Sequence, residues 1–387
     1  MDARIVGWGH TPFGVHRDLS FEALVLAAAG EAVAHAGLAP ADIDAIWLGH
    51  FNAGMEPNAF ASSLALGLDP AMRFKPATRV ENACASGAAA IYAARDAIAA
   101  GRVRTALVIG AEKMTGLDTK GVTQALGRAA YHPDEAGLSF PGIFAKFAEA
   151  YFAAYGDQSE TLARIAVKNH ANALHNPLAH FRKAFDFEAC NTVSDRNPMI
   201  APPLRLTDCS PISDGAAAVV MVAEDMVADF PRAVGFRAAV HMNDFLPLKG
   251  RDLTRLEAAS RAFAMAFETA GIGLDDLDFA EVHDCFTIAE LMICEAMGLA
   301  PLGQGAGLIA EGATERGGRL PVNVSGGLKA KGHPVGATGV SMHITCAKHL
   351  TGSAPVEEQI AGATLAAAYN MGGSGVANYC SILEPVK

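Results

Sequence analysis

The chain lacks several features that would announce a chemistry outright. Its seven cysteines (84, 190, 209, 285, 294, 346 and 380) include no CxxC pair. Neither a disulfide scaffold nor a tetrahedral zinc site is therefore expected. The thirteen histidines contain no HExxH. Only 18% of residues are charged and 7% aromatic, and no uncharged apolar run is long enough to cross a membrane. The opening MDARIVGWGH is too polar and too short for a signal peptide, and the ending LEPVK is not a peroxisomal tripeptide. A reducing cytoplasm is the expected setting. The net charge of −11 argues against nucleic acid or an anionic membrane as the main partner.

What is present is a well-buried α/β composition. The chain has 387 residues, more than a usual single domain, so two or more packed units are expected. Hydrophobic residues make up 51%, and with 39 glycines many apolar side chains are small. That favours helices packed closely on a sheet over a bulky aromatic core.

Two segments match each other. AHAGLAPADIDAIWLGHF (34–51) and ETAGIGLDDLDFAEVHDCF (268–286) share one order: helix end, glycine, short loop, strand. Ala36-Gly37 corresponds to Ala270-Gly271, and Asp42-Ile43-Asp44 to Asp276-Leu277-Asp278 at the same offset. A second pair follows, CASGAAAIYAARDAI before the strand TALVIG and HPVGATGVSMHITCAKHL before ATLAAAYN. Setting Gly87-Ala88 against Gly336-Ala337 brings Cys84 opposite His333, each at the start of a buried helix. Pro334 at the first helical position supports the second start. Duplicated halves are expected to pack about a pseudo-twofold axis, each with a mostly parallel sheet. The expected division is residues 1–115 plus 208–240 as the first half, 116–207 as an inserted loop domain over the substrate site, and 241–387 as the second half.

Each candidate group has a plain packing explanation beside the chemical one. A free cysteine usually just packs. Cys84, however, sits at a helix start, where unsatisfied amides favour thiolate, among Ala83, Ala85, Ser86 and Gly87, which leave room for a substrate. The glycines of SGGLKAKGHPVGATG (325–339) follow neither the P-loop nor the dinucleotide pattern. They read better as close backbone approach to a ligand, with His333 at the tip. The predicted symmetry with Cys84 points to a Cys–His pair rather than a satisfied turn histidine. EVHDCFTIAE (281–290) places His283, Asp284 and Cys285 where a strand meets a helix, the end that faces the crevice in α/β sheets. If extended, it points His283 and Cys285 to one side; a structural cluster is the alternative. YNMGGSG (369–375) reads equally as a plain turn or a substrate-lining loop.

Taken in order, NACASG, GHPVGATG, the terminal glycine turn and the duplicated halves resemble the thiolase family over essentially the whole chain. HDCF in place of the usual NEAF, with DCSPISDGAAA, resembles more narrowly the sterol-carrier-protein-type branch. The resemblance implies a duplicated, five-layered αβαβα thiolase fold with an inserted loop domain. It implies coenzyme A and acyl-CoA as substrates, no bound cofactor or metal, and a homodimer or homotetramer. It casts Cys84 as the acyl-accepting nucleophile and His333 as its activating base and an oxyanion-hole contributor. His283 takes the place of the NEAF asparagine, which holds a water in the other oxyanion hole. Ser210 falls where thiolases contact the pantetheine arm, and Phe286 and Gly372 are expected beside it as contacts to coenzyme A. One departure matters: Asn370-Met371-Gly372 stands where most thiolases carry a second catalytic cysteine in a CxG turn, so Cys285 of HDCF is expected to be the acid/base.

The reaction implied is making or cleaving the carbon–carbon bond of a 3-ketoacyl-CoA through an acyl-cysteine. A retro-aldol lyase or a partner-dependent acyltransferase on the same fold, working with a small OB-domain protein, is the alternative. A catalytically silent lipid- or CoA-binding scaffold is disfavoured by the intact Cys and His set. Substrate choice is expected to lie with residues 116–207.

Overall fold

The computed structural model describes residues 2–387. The chain opens on a buried strand, β1 (Ala3–His10). The Phe21–Ala36 helix follows, capped by the Ser20 hydroxyl and stopped by Gly37 at φ 73°, a left-handed conformation that suits glycine. Then come β2 (Ala45–Gly49), β3 (Ala77–Val80), the Ser86–Ala99 helix and β4 (Thr105–Glu112). A long excursion carries the Phe140–Tyr155 and Ser159–Asn172 helices and a hairpin of β5 (Met199–Ala201) and β6 (Leu204–Arg205) before β7 (Gly215–Ala223) rejoins the sheet. The order then repeats. β8 (Val234–Asn243) leads to the Glu257–Ala270 helix, stopped by Gly271 at φ 65°, and to β9 (Phe279–Val282). The Thr338–Leu350 helix, β10 (Ala366–Gly372) and β11 (Ala377–Pro385) complete it.

Among the described residues, nine strands form one sheet in the order β3-β2-β4-β7-β1-β8-β11-β10-β9. The halves meet where β1 and β8 pair antiparallel through Arg4–Gly235 and Ile5–Val234. The expected mostly parallel sheets are not found. β2 runs parallel to β3 and β4, and β9 to β10, but β7 and β11 run antiparallel to both their neighbours. The tight turn between β10 and β11 makes them a hairpin, and a hairpin is antiparallel by construction. β8 also passes unbroken through position 240, its register with β11 running from Val234 to Asn243. The seam between the halves therefore lies before β8, which repeats the place of β1.

Five layers result. The Phe21–Ala36 helix covers the outer face of the first half-sheet and the Glu257–Ala270 helix that of the second. Between the half-sheets, the Ser86–Ala99 and Thr338–Leu350 helices pack on each other. Their first turns touch backbone to backbone. A Cβ on Gly87 would stand 2.8 Å from the Gly336 carbonyl oxygen, and one on Gly339 only 2.3 Å from the Ala88 amide nitrogen. Neither neighbour is a side chain that can move aside, so both positions require glycine for close approach.

Gly339→Ala is therefore expected to destabilise the fold by at least about 3 kcal/mol and to lower the melting temperature by several degrees. Gly307→Ala, where a Cβ meets nothing within 4 Å, should leave the midpoint within error or raise it. Paired thermal melts check this.

Candidate active site

The loop between β3 and the Ser86–Ala99 helix holds Cys84 in a strained turn. Ala83 has φ 50°, costly for a residue with a Cβ. The turn is held by its own polar groups. The Ser86 hydroxyl donates to the Ala83 carbonyl (2.6 Å) and accepts from the Asn82 amide (2.9 Å), and the Glu81 carboxylate accepts from the Ala83 amide (2.6 Å). Cys84 is 5% exposed. Phe51, Met55, Met114, Val122, Ala125 and Val335 form the apolar cluster around it.

His333 reaches the same point from the other half. Its Nδ1 lies 2.7 Å from the Thr338 hydroxyl, which donates its one proton to the Pro334 carbonyl (3.1 Å). Nδ1 must then be the donor, leaving a lone pair on Nε2, which has no partner among the described residues. His283 follows β9, is fully buried, and crosses the His333 ring edge to face at 5.0 Å between centroids. The ligand atoms of Cys84, His283 and His333 all lie within 4.8 Å of one another. The pairing of Cys84 with His333 expected from the repeat is thus a contact between the two halves, and His283 joins it.

Electrically the resting site is neutral. Burial holds His333 down to about 3. Burial, reinforced by His333, holds His283 well below the usual imidazole value. Burial pushes the Cys84 thiol up to about 12; a main-chain hydrogen bond from Gly373 opposes this, while the Glu112 and Glu81 charges add to it. Burial thus works against the thiolate expected at the helix start. The cost of ionising this thiol rises by about 4 kcal/mol over a free cysteine.

Cys285 lies outside the three-atom cluster. It is 4% exposed, and burial, with the nearby Cys84 thiol as the next cause, pushes its own thiol well above the usual range. Asp284 between them is an anchor: its carboxylate accepts from the Leu328 and Lys329 amides (2.6 and 3.2 Å) and from the Asn169 side-chain amide (2.7 Å). It ties the segment bearing His283 to the segment bearing His333. Asn169 donates as well to Glu290, which Lys168 pairs at 2.8 Å, so the inserted Ser159–Asn172 helix braces the site from behind.

Ser210 lines a cleft of about 510 Å³ with Phe181, Lys183, Phe185, Arg196 and Lys329, and its amide donates to the Cys285 carbonyl (3.0 Å). Phe286 instead stacks on Phe144 at 4.6 Å within the core. Gly372 faces the loop that carries Cys84, where a Cβ would meet the Asn82 carbonyl at 2.4 Å. Neither of these two lines the cleft.

Three residues that sequence reasoning passed over support the constellation. Thr338 sets the His333 ring. Glu112, fully buried at the end of β4, accepts from the amides of Phe51 and Gly336 (3.0 Å each) and Asn52 (2.9 Å), pinning the loop after His333 to the first half. Asn370 donates to the Cys84 carbonyl (3.2 Å) and to His283 Nδ1 (3.0 Å). The one signal for Asn370 was its place where a cysteine was expected.

A neutral thiol beside a neutral imidazole has a kinetic signature. Alkylation of Cys84 by iodoacetamide in the free enzyme should rise about tenfold per pH unit through pH 7–9, because a raised thiol holds less thiolate until the pH climbs towards it. A plateau below pH 7 would mean a preformed thiolate–imidazolium pair and contradict the neutral site.

The comparisons agree with this geometry. Residues 3–225 match the thiolase N-terminal domain and residues 244–385 the thiolase C-terminal domain-like family. The chain is 37% identical over 382 residues to an acetyl-CoA acetyltransferase of Methanothermobacter thermautotrophicus, covering 97% of each. It is 30% identical to human sterol carrier protein 2, over 96% of this chain and 70% of that one. Among solved structures, an Ltp2-ChsH2(DUF35) aldolase superposes with a TM-score of 0.84 at 25% identity, over 99% of this chain and 97% of that chain. Human mitochondrial 3-ketoacyl-CoA thiolase in complex with CoA shares the fold at a TM-score of 0.77 and 17% identity, covering 100% and 98%. On these matches the chain belongs to the thiolase family.

Proposed function

We propose that this thiolase is an acyl-CoA C-acyltransferase working through an acyl group on Cys84, with His333, His283 and Cys285 as its other catalytic residues. The observation that carries the reading is the meeting of a buried thiol with two buried imidazoles, each with an Nε2 that has no partner among the described residues. One of them, His333 Nε2, carries a lone pair.

In the condensing direction His333 Nε2 takes the Cys84 proton as the sulfur attacks a thioester carbonyl, splitting the transfer into two easier steps. The tetrahedral intermediate collapses, and the departing coenzyme A thiolate takes its proton from Cys285. That leaves a buried Cys285 thiolate, whose high proton affinity suits it to remove a Cα proton from the second acyl-CoA. The enolate oxygen is stabilised by the proton now on His333 Nε2 and by His283, directly or through a water it holds. The enolate carbon attacks the acyl-enzyme, and the Cys84 thiolate released recovers its proton from His333. Thiolysis is the reverse. No step calls on a metal or prosthetic group.

The cleft beside Ser210 suits the pantetheine arm, with Lys183 and Arg196 at its exposed rim as phosphate partners and Phe181 and Phe185 as apolar walls. The bulky cluster around the sulfur fits a short acyl group, as on an acetyl-CoA acetyltransferase such as the Methanothermobacter relative. A homodimer or homotetramer in the cytoplasm completes the reading: β3 ends the sheet with an unpaired edge, a feature open to pairing. All seven cysteines are free, which suits a reducing compartment.

A second reading rests on the aldolase among the solved structures: a retro-aldol lyase on a CoA thioester, working with a small OB-domain partner. The half-reaction separates the two. Wild-type protein should exchange labelled coenzyme A into acetyl-CoA without a second substrate; Cys84→Ala should lose that exchange. Cys285→Ala should keep measurable exchange but lose condensation and thiolysis by a factor on the order of 100 or more. No exchange by the wild type shifts the assignment to the lyase, and full turnover by Cys285→Ala moves the acid/base elsewhere.

A further inference from the structure

We propose that Asn370 is a positioning residue that decides which nitrogen of His283 carries the proton. The proposal rests on the reading above that His283 faces the reacting oxygen. Asn370 lies in β10 and is 1% exposed, so its amide has no water to turn towards. Its Nδ2 is 3.2 Å from the main-chain oxygen of Cys84. A carbonyl oxygen only accepts, so the NH₂ end of the amide must face it. The same Nδ2 is 3.0 Å from Nδ1 of His283. An amide NH₂ only donates, so Nδ1 holds a lone pair and the proton of the neutral ring sits on Nε2. That Nε2 is buried and has no partner among the described residues, on a ring that stands in the cluster with Cys84 and His333.

The opposite tautomer would require the amide to turn over. Its Oδ1 would then face the Cys84 carbonyl oxygen, two acceptors in contact with no water to separate them, an expensive arrangement in a buried site. The main chain of the nucleophile thus reaches through Asn370 to make His283 a donor. Thr338 does the reverse for His333, which presents a lone pair. Two histidines side by side are thereby assigned opposite tasks: one gives a hydrogen bond to a developing oxyanion, the other takes a proton from sulfur. Asn370 Oδ1 is itself unpartnered, so the donor end is the one the structure uses. Gly339 leaves it space, since a Cβ there would lie 2.3 Å from that oxygen.

The same amide has a protective effect. One sulfur and two imidazoles within 4.8 Å are a donor set that zinc favours. A protonated Nε2 cannot ligate, so Asn370 holds the site in the form least able to capture a soft divalent ion.

The test is a ¹⁵N–¹H correlation spectrum of the full-length protein labelled at histidine, with His283 assigned by its loss in His283→Gln. Wild type should show the Nε2–H pattern. Asn370→Asp supplies a carboxylate, which only accepts, and should drive His283 to the Nδ1–H pattern. Condensation kcat should fall about 100-fold with KM little changed, and Zn²⁺ should inhibit about tenfold more tightly. An Nδ1–H pattern in wild type, or an unchanged pattern in Asn370→Asp, overturns the proposal; if that variant does not fold, the wild-type spectrum decides alone. An inverted pattern with undiminished condensation leaves Asn370 as the tautomer setter and refutes His283 as the oxyanion donor.

Discussion

The close approach of two helix starts, one from each half of the duplicated chain, is the contact on which the rest depends. Gly87 and Gly339 allow the Ser86–Ala99 and Thr338–Leu350 helices to meet backbone to backbone in the middle layer. Cys84 precedes one helix and His333 the other, so the same contact that closes the core delivers a thiol and an imidazole to one point. A single side chain at that junction would push apart the halves and the Cys84–His333 pair together. The stability of the fold and the geometry of the site are, at this place, one requirement.

Around that point the structure uses uncharged groups and settles their roles by hydrogen bonding. Burial suppresses ionisation of Cys84, Cys285, His283 and His333 alike, so no ion pair needs to be maintained in a dry interior. The charged members stand one shell back as anchors. Glu112 holds loops from both halves through three amides, and Asp284 holds the start of the segment that leads to His333.

Much of this was legible in the sequence because it is written in local patterns. The duplication could be read from matching glycines and Asp-x-Asp steps, and it alone predicted that Cys84 would face His333. HDCF follows a strand end, and His283 stands beside Cys84 and His333, whereas Cys285, expected on the same side as His283, lies outside that cluster. Strand direction was not legible: β7 and β11 run against their neighbours because of the path the chain takes to reach them, which short-range periodicity does not record. Phe286, expected beside coenzyme A, stacks on Phe144 from the insert, a contact between distant segments. Thr338, Glu112 and Asn370 were missed for a related reason. Glu112 acts on Gly336 and Asn370 on His283, across separations that no motif spans, and each is an ordinary polar residue until its partner is in place.

On the proposed function, Cys84 is presented for chemistry and not merely packed. Intact-protein and peptide mass spectrometry of the wild-type chain, quenched after brief exposure to acetyl-CoA, tests it directly. The expected result is one acetyl group per chain, carried on the peptide containing Cys84 and removed by added coenzyme A. No adduct, or an acetyl group that maps to another cysteine while Cys84 stays free, would contradict it.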